Sequence, residues 1–366
     1  MKDTALILTN GRLATSDAKT AHGLIRGTDR FSIVGVIDPA NCGKDAGEIV
    51  DGRFRNIPVF ESLHTFLDHS RQKPDYGIIG VALSGGRLPA DWNSLLLQVL
   101  ENRINIISTM HQLLSEDPVL RDAAHKNGVK IIDLRKPKPI DQLHFWSGDI
   151  YKVRAAKIAV LGMDCSIGKR TTARLITELC RQEEIRTEMV YTGQTGWLQG
   201  YKHGFIFDAT LNDFVSGELE HAVVECDRQS SPDLILIEGQ SGLRNPSGPC
   251  GSEIILSANV KGVILQHAPF RKYHEDLEHL YCLLPDVKEE IELIRMYGAQ
   301  TLAVTLNGEG GTREALADYR LRLSQQLRLP VVSPLDEGTA ALLPVIRQFI
   351  SRHQQELDTI CRKDQS

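Results

Sequence analysis

The sequence has no C-x-x-C pair, no apolar run long enough to cross a membrane, no G-x-G-x-x-G fingerprint and no strong charge of either sign. Each absence removes a class of protein. Seven cysteines, Cys42, Cys165, Cys180, Cys226, Cys250, Cys282 and Cys361, are odd in number and scattered. They give neither a disulfide framework nor a zinc site, and predict reduced thiols in a cytoplasmic protein. The run Ala5–Leu8 is too short for the core of a signal peptide, and no later run approaches a span. A net charge of -5 leaves no basic stripe for nucleic acid, and Arg135-Lys136-Pro137-Lys138 reads as a linker. Neither a membrane nor a nucleic acid is expected as a partner.

What remains is a 366-residue chain of ordinary hydrophobicity, long enough for two domains. Apolar strands alternate with amphipathic helix-length stretches. The first half offers strands at 5–8, 32–37, 77–82, 105–108 and 130–133, with helices at 61–69, 91–102 and 118–127. After an interruption at 134–147, rich in proline and basic residues, strands resume at 157–161, 188–192, 234–237, 262–265 and 301–306. Val331-Val332 is added as an edge strand. Such alternation predicts α/β architecture with mainly parallel sheets covered on both faces. The expected division is a Rossmann-like domain over 1–152 and a P-loop NTPase-like domain over 153–366.

The strongest local signal is Gly162-Met-Asp-Cys-Ser-Ile-Gly168-Lys169-Arg170-Thr171-Thr172, between a buried strand and an amphipathic helix. Strand, glycine loop, lysine and helix in this order form a phosphate loop. Backbone N–H groups and the helix N-terminus surround the anion, and the lysine adds a full charge. Gly162, Cys165, Ser166, Gly168, Lys169, Arg170 and Thr171 are the expected phosphate contacts. Five residues separate the glycines, and Arg170 stands where a Ser or Thr hydroxyl normally meets Mg²⁺. A dedicated set of metal ligands is not expected.

Glu238 ends the apolar strand 234–237 and precedes Gly239-Gln240-Ser241-Gly242, the place of a Walker-B acid. Thr192-Gly193-Gln194-Thr195-Gly196 lies at another strand tip, and strand tips face the ligand crevice in open α/β sheets. Gln194, Glu238 and Gln240 are expected to meet substrate. Arg244 and Arg271 are candidate forks for a carboxylate. His203, Asp208 and Asp213 are candidate general bases. His267 is read as either a crevice residue or a core histidine. In the first domain Asp38 ends a strand where a ribose-binding acid stands in dinucleotide folds, but the turn Thr9–Ala14 lacks the fingerprint.

These motifs, with Asp213-Phe-Val-Ser-Gly217, Val81-Ala-Leu-Ser-Gly-Gly86 and Lys19-Thr-Ala-His-Gly23, together resemble one family. It was long a domain of unknown function and includes D-glutamate N-acetyltransferases. Its second domain is similar to dethiobiotin synthetase-like P-loop proteins. The resemblance spans nearly the whole chain and implies acetyl transfer from acetyl-CoA to the amine of D-glutamate, with the loop on the CoA phosphates. An N-acetylglutamate epimerase would use the product. The alternative is an ATP- and Mg-dependent ligase or kinase, with Glu238 on the metal. A nucleotide sensor and a nicotinamide-dependent enzyme are further readings. A homo-oligomer is expected.

Overall fold

A computed structural model describes residues 2–70 and 72–363. The chain forms two compact units. The first runs to Lys138 and also includes Gln194–Tyr201; the second comprises Pro139–Gly193 and the chain from Lys202 onward.

In the first unit, β1 (Asp3–Leu8), β2 (Phe31–Ile37), β3 (Val59–Phe60), β4 (Tyr76–Ile79), β5 (Asn105–Ser108) and β6 (Ile131–Asp133) form one sheet. Their order is β3-β2-β1-β4-β5-β6, and every pairing is parallel. This is the strand order of dinucleotide-binding folds. The helices are α1 (Lys19–Arg26), α2 (Ala46–Asp51), α3 (Leu63–His69), α4 (Trp92–Glu101) and α5 (Pro118–Asn127). Alternation along β1 sends Leu6 and Leu8 into one core with Trp92, Leu96 and Leu120. Ala5 and Ile7 enter a second core with Leu24, Ile25 and Leu198. The sheet is therefore buried on both faces, as its continuous apolar strands require.

The second unit holds β7 (Ala156–Gly162), β8 (Thr187–Tyr191), β9 (His203–Gly204), β10 (Leu234–Glu238), β11 (Gly262–His267), β12 (Gln300–Leu306) and β13 (Val331–Val332). The order is β13-β12-β11-β7-β10-β8-β9, again all parallel. Along the chain come α6 (Lys169–Gln182), α7 (Gln194–Leu198, in the first unit), α8 (Asn212–Ser230), α9 (Ser252–Ser257), α10 (Val287–Met296), α11 (Arg313–Leu327), α12 (Pro334–Glu337) and α13 (Leu343–Lys363). Among the described residues no helix is long and apolar enough to cross a membrane.

The second unit starts at Pro139, ahead of the expected residue 153. One reason is apolar, since Ile150 and Trp146 pack on the second unit's core; the other is electrostatic. Glu218 and Glu220 of α8 are buried, at 2% and 3% exposed, and buried carboxylates need donors. The segment before β7 supplies them. His144 approaches Glu218 through its backbone N–H (2.9 Å) and Nδ1 (2.7 Å). Ser147 and Ile150 donate backbone N–H groups to Glu220 at 2.6 and 3.0 Å. Two acids in a helix thus recruit what the sequence presents as a linker.

Candidate phosphate-binding site

Strand β7 delivers its C-terminal tip to the centre of the sheet, flanked by β10 and β11. There the chain turns through residues 163–168 into α6. Ser166 and Gly168 take left-handed conformations, with φ of 55° and 103°. A Cβ at Gly162 would lie 2.7 Å from Lys169 Cδ, so any side chain there would push the lysine from its place. Lys169 folds back over the loop, almost wholly buried, and its Nζ donates to the carbonyls of Asp164 (2.5 Å) and Ser241 (2.8 Å). Burial lowers its pKa, and the nearby Cys165, Asp164, Cys250 and Glu238 offset this only in part. This is the lysine of a P-loop, held by neutral carbonyls.

Arg170 is half-buried beside the carboxylate of Glu238. Burial raises the pKa of Glu238, and the charge of Arg170 is the strongest of the effects that oppose it. The Glu238 carboxylate accepts the backbone N–H of Thr192 at 3.0 Å and that of Gly193. Thr192 Oγ1 donates to the Glu238 carbonyl (2.9 Å) and accepts from Gln240 Nε2 (2.9 Å). Thr171 is half-buried. Thr172 is committed elsewhere, donating to Gln266 Oε1 at 2.6 Å, which also accepts from Thr305.

The other expected residues distribute unevenly. Cys165 lies in the loop, its Sγ donating to Ser241 Oγ at 3.3 Å. Gln194 opens α7 and belongs to the first unit, where Thr195 meets Thr20 and the Trp197 carbonyl accepts from Arg30. Asp208 and Asp213 are exposed, the second in the first turn of α8. His203 does not join the loop. It sits buried on edge strand β9 with Nε2 3.4 Å from Ser230 Oγ, and burial lowers its pKa. Arg244 is bound to Glu290 (2.7 Å) and Glu289 (2.9 Å). Arg271 is shared by Asp164 (3.0 Å), Glu275 (2.8 Å) and Glu309 (3.0 Å). Both arginines are thus taken by the protein's own acids. His267 is a core residue at 7% exposed: its Nε2 is 2.9 Å from Tyr319 Oη, and burial pushes its pKa down to about 4.

Sequence reasoning passed over Asp164, Asn245 and His274. Asp164 is fully buried and accepts from Asn245 Nδ2 (2.7 Å), from Arg271 and from the N–H of Glu275, with His274 Nδ1 at 3.0 Å. A signal was present: a carboxylate inside a loop with the pattern of a phosphate loop is out of place unless something else neutralises it.

Sequence comparison places this geometry. Residues 144–343 match the DUF1611 P-loop domain, described as a domain of unknown function, and residues 39–137 match its companion, the DUF1611_N Rossmann-like domain. The chain belongs to the DUF1611 family. Among solved structures, a DUF1611 family protein from Anabaena variabilis superimposes on this member with a TM-score of 0.85 at 25% identity, covering 95% of this chain and all of that one. Two curated relatives are named D-glutamate N-acetyltransferase. One, from a Pseudoalteromonas species, is 26% identical over 73% of this chain and 79% of its own. The other, from Tritonibacter scottomollicae, is 28% identical over 74% and 80%. The first unit of this DUF1611 chain fits the Rossmann-like description without an open dinucleotide turn. Asp38 is fully buried and accepts from Thr9 Oγ1 (2.7 Å), the Leu13 N–H (2.8 Å) and Asn41 Nδ2 (2.8 Å). It closes the turn on itself and is not presented to a ribose.

Proposed function

We propose that this DUF1611 protein moves an acetyl group from acetyl-CoA to the amine of D-glutamate or a closely similar amino acid, with the phosphate loop holding the CoA phosphates. The names of the two relatives support this reading. The observation that carries it is the pairing of Glu238 with backbone N–H groups and Arg170. In a Mg²⁺-dependent site this carboxylate would face a cation held by a hydroxyl after the lysine. Here that position is a guanidinium, and the carboxylate already has donors.

The donor set suits a diphosphate. Loop N–H groups at the N-terminus of the long helix α6, with Lys169 and Arg170, supply fixed positive charge. Acetyl-CoA supplies an acetyl group activated as a thioester. The protein's residues divide the remaining work. The loop anchors one end of the donor, and the pantetheine arm carries the reacting carbon away from it. The proton acceptor for the amine is therefore placed off the loop, with the exposed Asp208 and Asp213 as candidates. For Arg244 to act as the fork, a substrate carboxylate would take the place of the exposed Glu289 while the buried Glu290 stays bound; Arg271, held by three acids, is released from that role.

The test is release of CoA thiol from acetyl-CoA with D- or L-glutamate, beside a well holding ATP and Mg²⁺ read for phosphate. Thiol release that depends on D-glutamate is the expected result. Phosphate release without it would move the loop to nucleotide chemistry, the reading favoured by the strand-tip position of Glu238.

A further inference from the structure

Asp164 is the one charged group within the loop that opposes its purpose, because an ionised carboxylate repels a phosphate. Its side chain is turned out of the loop instead. Oδ1 accepts from Asn245 Nδ2 at 2.7 Å and lies 3.0 Å from His274 Nδ1. Oδ2 accepts from Arg271 Nη1 at 3.0 Å and from the Glu275 N–H at 2.8 Å. These donors come from two segments, one following β10 and one following β11. Burial alone would push the carboxyl up. Hydrogen bonds from His274, from the N–H groups of Glu275 and Cys165, and from Arg271 outweigh it and hold the group below the usual carboxylate range.

The same residue governs the loop's cation through its backbone. Its carbonyl accepts Lys169 Nζ, and the neighbouring Cys165 carbonyl accepts Arg271 Nη1 at 2.9 Å. Ser241, which also receives Lys169, lies on the segment that Asn245 ties to Asp164. One aspartate thus links the loop, its lysine and both flanking segments.

We propose that Asp164 is the positioning residue of the phosphate loop. Its ionised side chain fixes the loop to the segments after β10 and β11 before any ligand arrives, and Arg271 is its counter-ion. The proposal rests on the reading of 162–170 as a phosphate site, and applies to any ligand carrying a diphosphate. Preorganisation of this kind lowers the ordering cost of binding. In Asp164→Asn the amide nitrogen would face donors where only an acceptor fits.

The experiment compares wild type with Asp164→Asn by calorimetry, using CoA, ATP and inorganic pyrophosphate as separate probes, together with steady-state kinetics. The expected result is a dissociation constant and a KM for acetyl-CoA raised about tenfold or more, with kcat changed far less. Asn245→Ala keeps the charge and removes one donor; it should raise the same constants a few-fold, and carries the test should Asp164→Asn not fold. A purely structural aspartate would lower the thermal midpoint and the active fraction while leaving KM and the pyrophosphate dissociation constant at wild-type values. That outcome overturns the proposal. Wild type that binds pyrophosphate or ATP but not CoA refutes the CoA reading alone, and the variants still decide the role of Asp164 with those probes. Wild type that binds none of the three overturns both.

Discussion

Each unit contains a parallel sheet whose first strand runs into a turn and then a helix, and a buried aspartate engages each turn: Asp38 reaches the first from the tip of the neighbouring strand β2, and Asp164 lies within the second. The two aspartates are used in opposite ways. Asp38 faces inward: it accepts the Leu13 N–H and the Thr9 hydroxyl, consuming a backbone donor that a bound phosphate would need. Asp164 faces outward, drawing its donors from Asn245, His274, Arg271 and the Glu275 N–H. Strand order alone would nominate both edges as binding sites. The direction in which one carboxylate points separates a closed turn from an open one, and shows that fold places a site without making it.

The comparison can be broken most sharply at Lys169. Lys169→Ala should weaken CoA binding about a hundredfold, the scale of losing a charge-assisted contact of nearly 3 kcal/mol, and abolish glutamate-dependent thiol release. Its thermal midpoint should hold or rise, since the ammonium is buried at a cost. Unchanged CoA affinity in calorimetry would place the ligand elsewhere. Arg170→Ser restores a hydroxyl after the lysine; about tenfold weaker CoA binding is expected, with no Mg²⁺-dependent ATP binding gained. Gained Mg²⁺-dependent affinity would mean that Arg170 alone keeps the site from nucleotide chemistry.

The closed turn should answer differently. Asp38→Asn leaves donors such as the Leu13 N–H poorly matched, at a cost of about 1–3 kcal/mol. Thermal unfolding should record that loss, while the CoA dissociation constant stays within about twofold of wild type. A large change in CoA affinity would show that the first unit's turn takes part in binding. The smallest effect concerns acid. His267 has a folded pKa of about 4 against an ordinary 6.5, so the unfolded chain binds the proton more readily between those values. Its contribution is fully present above about pH 6.5 and is lost as the pH falls toward 4. Denaturant midpoints at pH 7 and pH 5 should differ less in His267→Phe than in wild type.

Much of this was legible in the sequence. The strand at 156–162, the glycine loop and the amphipathic α6 carry period and punctuation strong enough to read directly. Glu238 was found because a continuous apolar strand ends on it. Strands β3 and β9 were not: two residues carry no period, and the equally short β13 was legible only as an apolar Val-Val pair. The roles of Arg244 and Arg271 were also hidden. A guanidinium in sequence says that a carboxylate is wanted, and only the fold shows that Glu290 and Asp164 supply it. Asp164 itself was obscured by its position, because its partners lie 81 to 111 residues away along the chain.

Segment 194–201 bears on how the protein is made. Leu198 is fully buried in a core of the first unit, and Gln199 Nε2 donates to the carbonyls of Gly23 (2.9 Å) and Gly27 (3.1 Å) at the end of α1. A ribosome that has emerged only residues up to Lys138 has therefore released an unfinished unit. The nascent chain must wait until Tyr201 clears the exit before the core that holds Leu198 can close, by which time β7, α6 and β8 have already been synthesised. Truncation at the apparent linker would leave that core open.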